Sequence, residues 1–332
     1  MGVTKGPLEE LIEKAGGCAV IDGGFATQLE ALGADINDPL WSALCLISNP
    51  HLIKKVHMQY LEAGADVLIT SSYQATIPGF LSKGLSIEEA EKLLQKSVKL
   101  AIEARDNFWT HLQKNPKDGY NRALLAASIG SYGAYLADGS EYSGVYGPDI
   151  ELDKLKDFHR RRLQVLASAE PDLLAFEAIP NKLEAQAIVE LLNEEKVNIP
   201  SWICFSSVDG KHTPSGHSFK ECLEILNCCE RVPAIGVNCT SPHFIDKLIH
   251  ELRKVYMIGA IKQTIKLIAG ISDRGQSNVV PTYRYMELLT MVILILGYFF
   301  LVQNWNQFIL VSNHKKFNRA RCVMVCSKAL LQ

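Results

Sequence analysis

The chain has 332 residues, a formal net charge of −2 and a pI near 6.5, a balance that leaves no basic surface for nucleic acid and no charged tail, so small molecules or proteins are the expected partners. Nine cysteines is an odd number, and the N-terminus runs into charged residues rather than an apolar stretch. Together these predict no secretory signal, a cytoplasmic protein with reduced thiols, and a metal-ligand or nucleophile role for any functional cysteine.

In chain order, residues 8–15 make a short lead-in helix closed by Gly16-Gly17, and the apolar run 18–21 ends in Asp22-Gly23-Gly24. An acid and two glycines at a strand end let the backbone approach a ligand closely, and the same triplet also makes an ordinary turn. Asn49-Pro50 opens a helix to about residue 63, with Ile53, Val56, Tyr60 and Leu61 on one face. Residues 66–72 form a second strand, apolar first and polar at its C-terminal end. Ser86-Ile87-Glu88-Glu89 is a capping box for a helix reaching about Trp109, whose stripe of Ala90, Leu93, Leu94, Val98 and Ala101 belongs to the core.

A polar loop over 111–122 precedes a third strand, 123–129, which ends in Gly130-Ser131-Tyr132-Gly133. The Gly- and Tyr-rich stretch 134–148 is a long connection of a kind that covers sites, and glycine-rich loops are also merely mobile. After a helix over 151–169, the strand 172–177 sets Glu177 behind four apolar residues. A buried carboxylate there requires a cationic or hydrogen-bonding partner. Helices over 182–195 and 218–228 flank a fifth strand, 202–206.

The run Ile235-Gly236-Val237-Asn238-Cys239 delivers an amide and a thiol to one point, and Thr240-Ser241-Pro242 supplies the cap and first-turn proline of the next helix. Cys239 therefore lies on a β-to-α loop, either as a small buried hydrophobe or as a ligand. Six strand-then-helix units with near-continuous apolar strands imply a parallel sheet covered by helices. Asp22, residues 70–72, residues 128–131, Glu177, Ser206-Ser207 and Asn238-Cys239 all fall at strand C-terminal ends, the rim where barrel enzymes build their sites. The expected architecture is α/β, a (β/α)8-type TIM barrel left incomplete because strands seven and eight are not recognisable. No Gly-x-Gly-x-x-Gly after a strand and no phosphate-loop lysine competes with this reading.

With Asp22-Gly23-Gly24, the run Thr70-Ser71-Ser72-Tyr73-Gln74-Ala75-Thr76, Phe176-Glu177-Ala178-Ile179-Pro180 and Gly236-Val237-Asn238-Cys239 in place, residues 8–254 resemble a plant-type homocysteine S-methyltransferase. The resemblance implies methyl transfer from S-methylmethionine or S-adenosylmethionine to homocysteine, forming methionine, in a barrel that holds one zinc through three cysteines. It implies Cys239 as the first zinc ligand, Asp22 and Glu177 as holders of the substrate ammonium, and Thr70 or Ser72 with Asn238 as groups orienting the amino acid. Zinc binds a thiol as thiolate and leaves it nucleophilic at neutral pH.

After Lys254 the family's Gly-Gly-Cys-Cys-Arg motif is not found, and Cys228-Cys229, at a helix end, does not replace it. The expected organisation is a homocysteine-binding unit, 1–254, and a divergent hydrophobic tail, 255–332. The apolar run near 285–302 reads as a membrane anchor, a replacement fold segment or an alternative C-terminus. Cys322 and Cys326 could supply thiols. Two functional readings follow: a methyltransferase whose zinc site is impaired, and a non-catalytic truncated form, either free or membrane-tethered.

Overall fold

The structure, a computed structural model, describes residues 5–116, 119–226 and 229–257 together with two strands, Lys266–Ile271 and Val292–Ile295. The chain opens with helix α1 (Pro7–Lys14), strand β1 (Cys18–Val20) and helix α2 (Phe25–Ala31), which starts at Gly24. A 3-10 turn at Trp41–Leu44 and the short α3 (Cys45–Ser48) lead into α4 (Pro50–Ala63), which Pro50 starts and Gly64 ends in the left-handed region. Strand β2 (Val67–Ile69), the short α5 (Ile77–Leu81) and the long α6 (Ile87–Lys114) follow. Ser86 and Glu89 form the expected capping box, and the helix runs past Trp109 to Lys114.

Strand β3 (Leu124–Gly130) is joined by α7 (Tyr132–Leu136) and α8 (Ser140–Ser143) to α9 (Leu152–Ala167). Then come β4 (Leu173–Ile179), α10 (Lys182–Glu194), β5 (Ser201–Phe205), α11 (Phe219–Leu226), β6 (Ala234–Thr240) and α12 (Pro242–Met257), with β7 (Lys266–Ile271) and β8 (Val292–Ile295) last.

Strands β2 to β6 pair in parallel, in sequence order, as the strand-then-helix alternation requires. The expected (β/α)8-type TIM barrel, even one left incomplete at strands seven and eight, is not what they build. The sheet is a curled, open half-barrel of five parallel strands, running 211° round with its edges 13 Å apart. Beyond it, β7 joins β6 in parallel, but β8 runs antiparallel to both β7 and β1. A closed (β/α)8 barrel needs every strand to point the same way, which an antiparallel β8 cannot satisfy. On the other edge, Ile21 and Val67 form a single parallel bridge, supported by Asp22 N donating to Val67 O (2.9 Å) and Asp66 N to Val20 O (2.7 Å).

Two apolar layers follow from strand alternation. Ala19, Ile21, Val67, Ala126, Leu173, Ala175, Trp202, Cys204 and Ala234 face the inside of the curl, where Leu8, Leu11 and Ile12 of α1 join them as a plug. Leu68, Leu125, Ala127, Leu174, Phe176, Ile203, Phe205, Ile235 and Val237 face outward under the helices. Carboxylates staple neighbouring strands: Asp66 Oδ2 accepts from Val20 N (3.0 Å), and Asp172 Oδ2 accepts from Leu125 N (2.8 Å) and from Arg105 Nη1 (2.7 Å).

Among the described residues no helix is long and apolar enough to cross a membrane. Within the apolar run 285–302, the described part is the strand β8. The rest of that run, Cys322 and Cys326 lie outside the described residues.

Candidate active site

The C-terminal ends of β4 and β6 are both bulged. The register of β4 on β5 shifts between Phe176 and Ile179, and that of β6 on β7 between Val237 and Thr240. Each bulge holds a non-glycine residue in the left-handed region, Ala178 at φ 54 and Cys239 at φ 47. Such a residue costs on the order of 1–3 kcal/mol and persists only where its surroundings hold it. Asn238 provides part of that hold, because its Oδ1 accepts from Ala178 N at 2.8 Å and so ties one bulge to the other. Bulges re-aim side chains at strand ends, here Glu177, Asn238 and Cys239.

Glu177 lies on the inner face, two residues on from Ala175, and is 9% exposed. Ser128 Oγ of β3 donates to its Oε2 at 3.1 Å, which is the hydrogen-bonding partner the sequence demands. Burial pushes the carboxyl up to about 7, against the smaller opposing pulls of Ser128 and the Trp202 indole. The Trp202 N–H makes no hydrogen bond of normal geometry, so its pull is that of a nearby dipole. Asp22 is 4% exposed, and its Oδ2 accepts from Ile69 N at 2.9 Å. Burial raises its pKa well above the ordinary value; the Ile69 bond opposes this and the nearby Glu177 adds to it. Two carboxylates thus share one rim, and among the described residues neither has a salt-bridge partner.

Thr70 and Ser72 are buried on β2's continuation, and their proton directions are fixed. Ser72 Oγ donates to Ser128 O at 2.7 Å, so in the 2.6 Å contact between the two hydroxyls Thr70 is the donor. Thr70 Oγ1 in turn accepts from Ser128 N at 3.0 Å. Both hydroxyls therefore clamp Ser128, the residue that holds Glu177. Ser71 between them, on the face of Val67 and Ile69, has a buried hydroxyl without a hydrogen-bond partner among the described residues, as does Ser206 two residues on from Cys204.

Tyr73, Ser128, Trp202 and Cys204 complete the site; Tyr73 and Ser128 fall inside stretches the sequence marks without a role of their own, and nothing in the sequence singles out Trp202 and Cys204. Tyr73 is half-buried. Burial raises its pKa well above the ordinary value, and Glu141, Cys239, Tyr142 and Glu177 add to the shift. It packs on Gly130, where a Cβ would stand 2.5 Å from the Tyr73 carbonyl oxygen and 2.9 Å from its ring. Cys204 is enclosed, and burial raises its thiol well above the ordinary value, with Glu177 and Cys239 adding. The signal that could have found Ser128 and Cys204 is the period of two, counted along each strand from the inward-facing Glu177.

Cys239 sits partly exposed at the rim. Among the described residues no group of three or more His, Cys, Asp or Glu is placed to hold a metal ion. One rim thiol, an enclosed thiol and two carboxyls that resist ionisation do not make the three-thiolate set that the sequence resemblance implies for zinc.

Fold and site define a class: an α/β protein with parallel strands whose C-terminal ends carry paired acids and a thiol, the side on which such sheets bind small substrates. The chain belongs to the homocysteine S-methyltransferase family, whose sequence profile matches residues 19–283. It is 70% identical over 271 residues to homocysteine S-methyltransferase 1 of Zea mays, covering 82% of this chain and 81% of that protein. It is 72% identical over 248 residues to homocysteine S-methyltransferase 1 of Arabidopsis thaliana, covering 75% and 76%. The crystal structure of the homocysteine methyltransferase MmuM from Escherichia coli in its metallated form superposes with a TM-score of 0.68 at 39% identity, over 75% of this chain and 83% of that one. Methyl transfer to homocysteine, forming methionine, is the family's activity, and its substrates are homocysteine and a sulfonium methyl donor.

Proposed function

We propose that this rim binds homocysteine and directs its sulfur at the methyl group of S-methylmethionine or S-adenosylmethionine. The observation that carries the reading is the pair Asp22 and Glu177: two buried carboxyls, each disfavoured as an anion, with no salt-bridge partner among the described residues. A primary ammonium supplies the missing charge and three donors. Thr70 and Ser72 serve by holding Ser128, and through it Glu177, while Asn238 holds the β4 bulge that aims the same carboxylate. Residues 1–254 carry the homocysteine-binding residues in this reading, and of the tail 255–332 the strands β7 and β8 continue the same sheet, in a protein of the cytoplasm.

The chemistry is a substitution at carbon. The homocysteine sulfur forms a bond to the methyl carbon as the methyl–sulfonium bond breaks and its electron pair returns to the donor sulfur. The donor leaves as a neutral thioether, the thiol proton passes to solvent, and homocysteine becomes methionine. Positioning is the protein's main contribution to such a step, since the sulfonium is already a good leaving group.

For the metal, the reading is that Cys239 is one ligand and that the described half-barrel by itself holds zinc weakly. A tight site has to draw further thiols from elsewhere in the chain, with Cys322 and Cys326 the first to test. Zinc content of the full chain and of its Cys239→Ala variant, with methionine formation from homocysteine and S-methylmethionine, tests both parts. Zinc below one per chain, with slow turnover, is expected. Stoichiometric zinc that survives Cys239→Ala would remove Cys239 from the metal's ligands, and absence of homocysteine binding would end the functional reading.

A further inference from the structure

Behind the rim lies a buried polar chain that the proposed chemistry does not use. Arg162 on α9 is 2% exposed, and its Nη2 donates to Gly130 O at 2.5 Å and contacts His159 Nδ1 at 3.0 Å. A guanidinium can only donate, so Nδ1 accepts and carries no proton. The remaining ring proton is on Nε2, which donates to Glu184 Oε1 at 2.8 Å. Burial, the largest influence on His159, keeps this imidazole neutral. Glu184 on α10 is fully buried; its Oε1 also accepts from Tyr132 N at 2.6 Å, and its Oε2 accepts from the Tyr146 hydroxyl. Every bond in the chain therefore has one allowed direction.

The two ends of this relay are what make it matter. One end is Gly130, the residue that pairs with Glu177 in the sheet and against which Tyr73 packs. The other is the connection 132–148, which crosses the rim. Gln74 Nε2 donates to Ala134 O at 3.1 Å, and Asn181 Nδ2 donates to Gly144 O at 3.2 Å, so the connection is tied to the ends of β2 and β4. Between those ties lie Glu141 and Tyr142, which like Glu177 and Cys239 act electrostatically on the Tyr73 hydroxyl.

We infer that His159 is a positioning residue for the methyl transfer proposed above: as a neutral imidazole protonated on Nε2, it links Arg162 to Glu184 and so fixes where residues 132–148 lie across the substrate rim. This rests on the homocysteine-binding reading, and the test separates the two. In the full chain, His159→Gln keeps an acceptor for Arg162 and a donor for Glu184 on one amide, whereas His159→Leu keeps volume and apolarity alone. Hydrogen exchange of residues 132–148 is followed without ligand, and L-homocysteine binding is followed by calorimetry under reducing conditions.

His159→Leu is expected to lose at least about tenfold in protection of that segment and about tenfold in affinity, and His159→Gln to recover most of both. A residue that merely filled the core would give the opposite order, because leucine suits an apolar site better than a buried amide. Protection unchanged in His159→Leu, or leucine performing as well as glutamine, would overturn the inference. If the unsubstituted chain binds no homocysteine, the functional reading fails, and the ranking by hydrogen exchange alone supports or overturns the relay.

Discussion

Glu177→Gln should make the ligand-free protein more stable while abolishing homocysteine binding. In the folded chain burial holds the carboxyl at about 7 against an ordinary 4.5, so its ionised form is disfavoured by the fold. Because the folded value is raised, the stability this group contributes is present below pH 4.5 and is lost as pH rises through about 7. Moving a carboxyl over that interval corresponds to about 3 kcal/mol, nearly all of it developed near pH 8 and about 1 kcal/mol near pH 5. Glutamine removes the charge and keeps an oxygen to accept from Ser128 Oγ. Urea unfolding of both proteins at the two pH values is the assay. The variant should gain about 3 kcal/mol near pH 8 and markedly less near pH 5. An advantage independent of pH, or a variant less stable near pH 8, would refute the reasoning that Glu177 is a strained anion held for a cationic ligand.

Asn238→Ala should cost about 1–3 kcal/mol in urea unfolding, because it leaves the buried Ala178 N–H without its acceptor, and Asn238→Asp should cost less. Gly130→Ala should weaken L-homocysteine binding in calorimetry, because a Cβ 2.5 Å from the Tyr73 carbonyl must displace Tyr73 from the rim. His57 is fully buried and neither ring nitrogen has a hydrogen-bond partner among the described residues; burial lowers its pKa to about 3, so its stabilising effect is present above pH 6.5 and lost as pH falls toward 3. His57→Leu should therefore flatten the acid side of the stability profile, gaining about 2 kcal/mol near pH 5 in urea unfolding.

The rim was legible because the chain states it locally: apolar residues of β2, β4 and β6 run straight into Thr70, Glu177 and Asn238. The same pattern misjudged the sheet. A strand's direction depends on which edge it reaches, and nothing in residues 292–295 states that they run antiparallel to β1 and β7. The two bulges were hidden because Ala178 and Cys239 occupy left-handed conformations without the glycine that would mark them. Thr70 and Ser72 were singled out for their hydroxyls, and which backbone groups those hydroxyls meet is settled by β3, more than 50 residues away. The His159–Arg162–Glu184 chain could not be read from sequence, since a charged residue inside α9 or α10 looks the same whether it faces water or the core.

The most direct test of the account compares two ligands that differ by one group. L-homocysteine and 4-mercaptobutyrate share thiol, carboxylate and chain length, and the second lacks the ammonium that Asp22 and Glu177 are held to bind. Two charge-assisted contacts predict that calorimetry finds 4-mercaptobutyrate weaker by about 100-fold or more. Comparable affinity of the two ligands for the unsubstituted chain would contradict the assignment of the paired carboxylates.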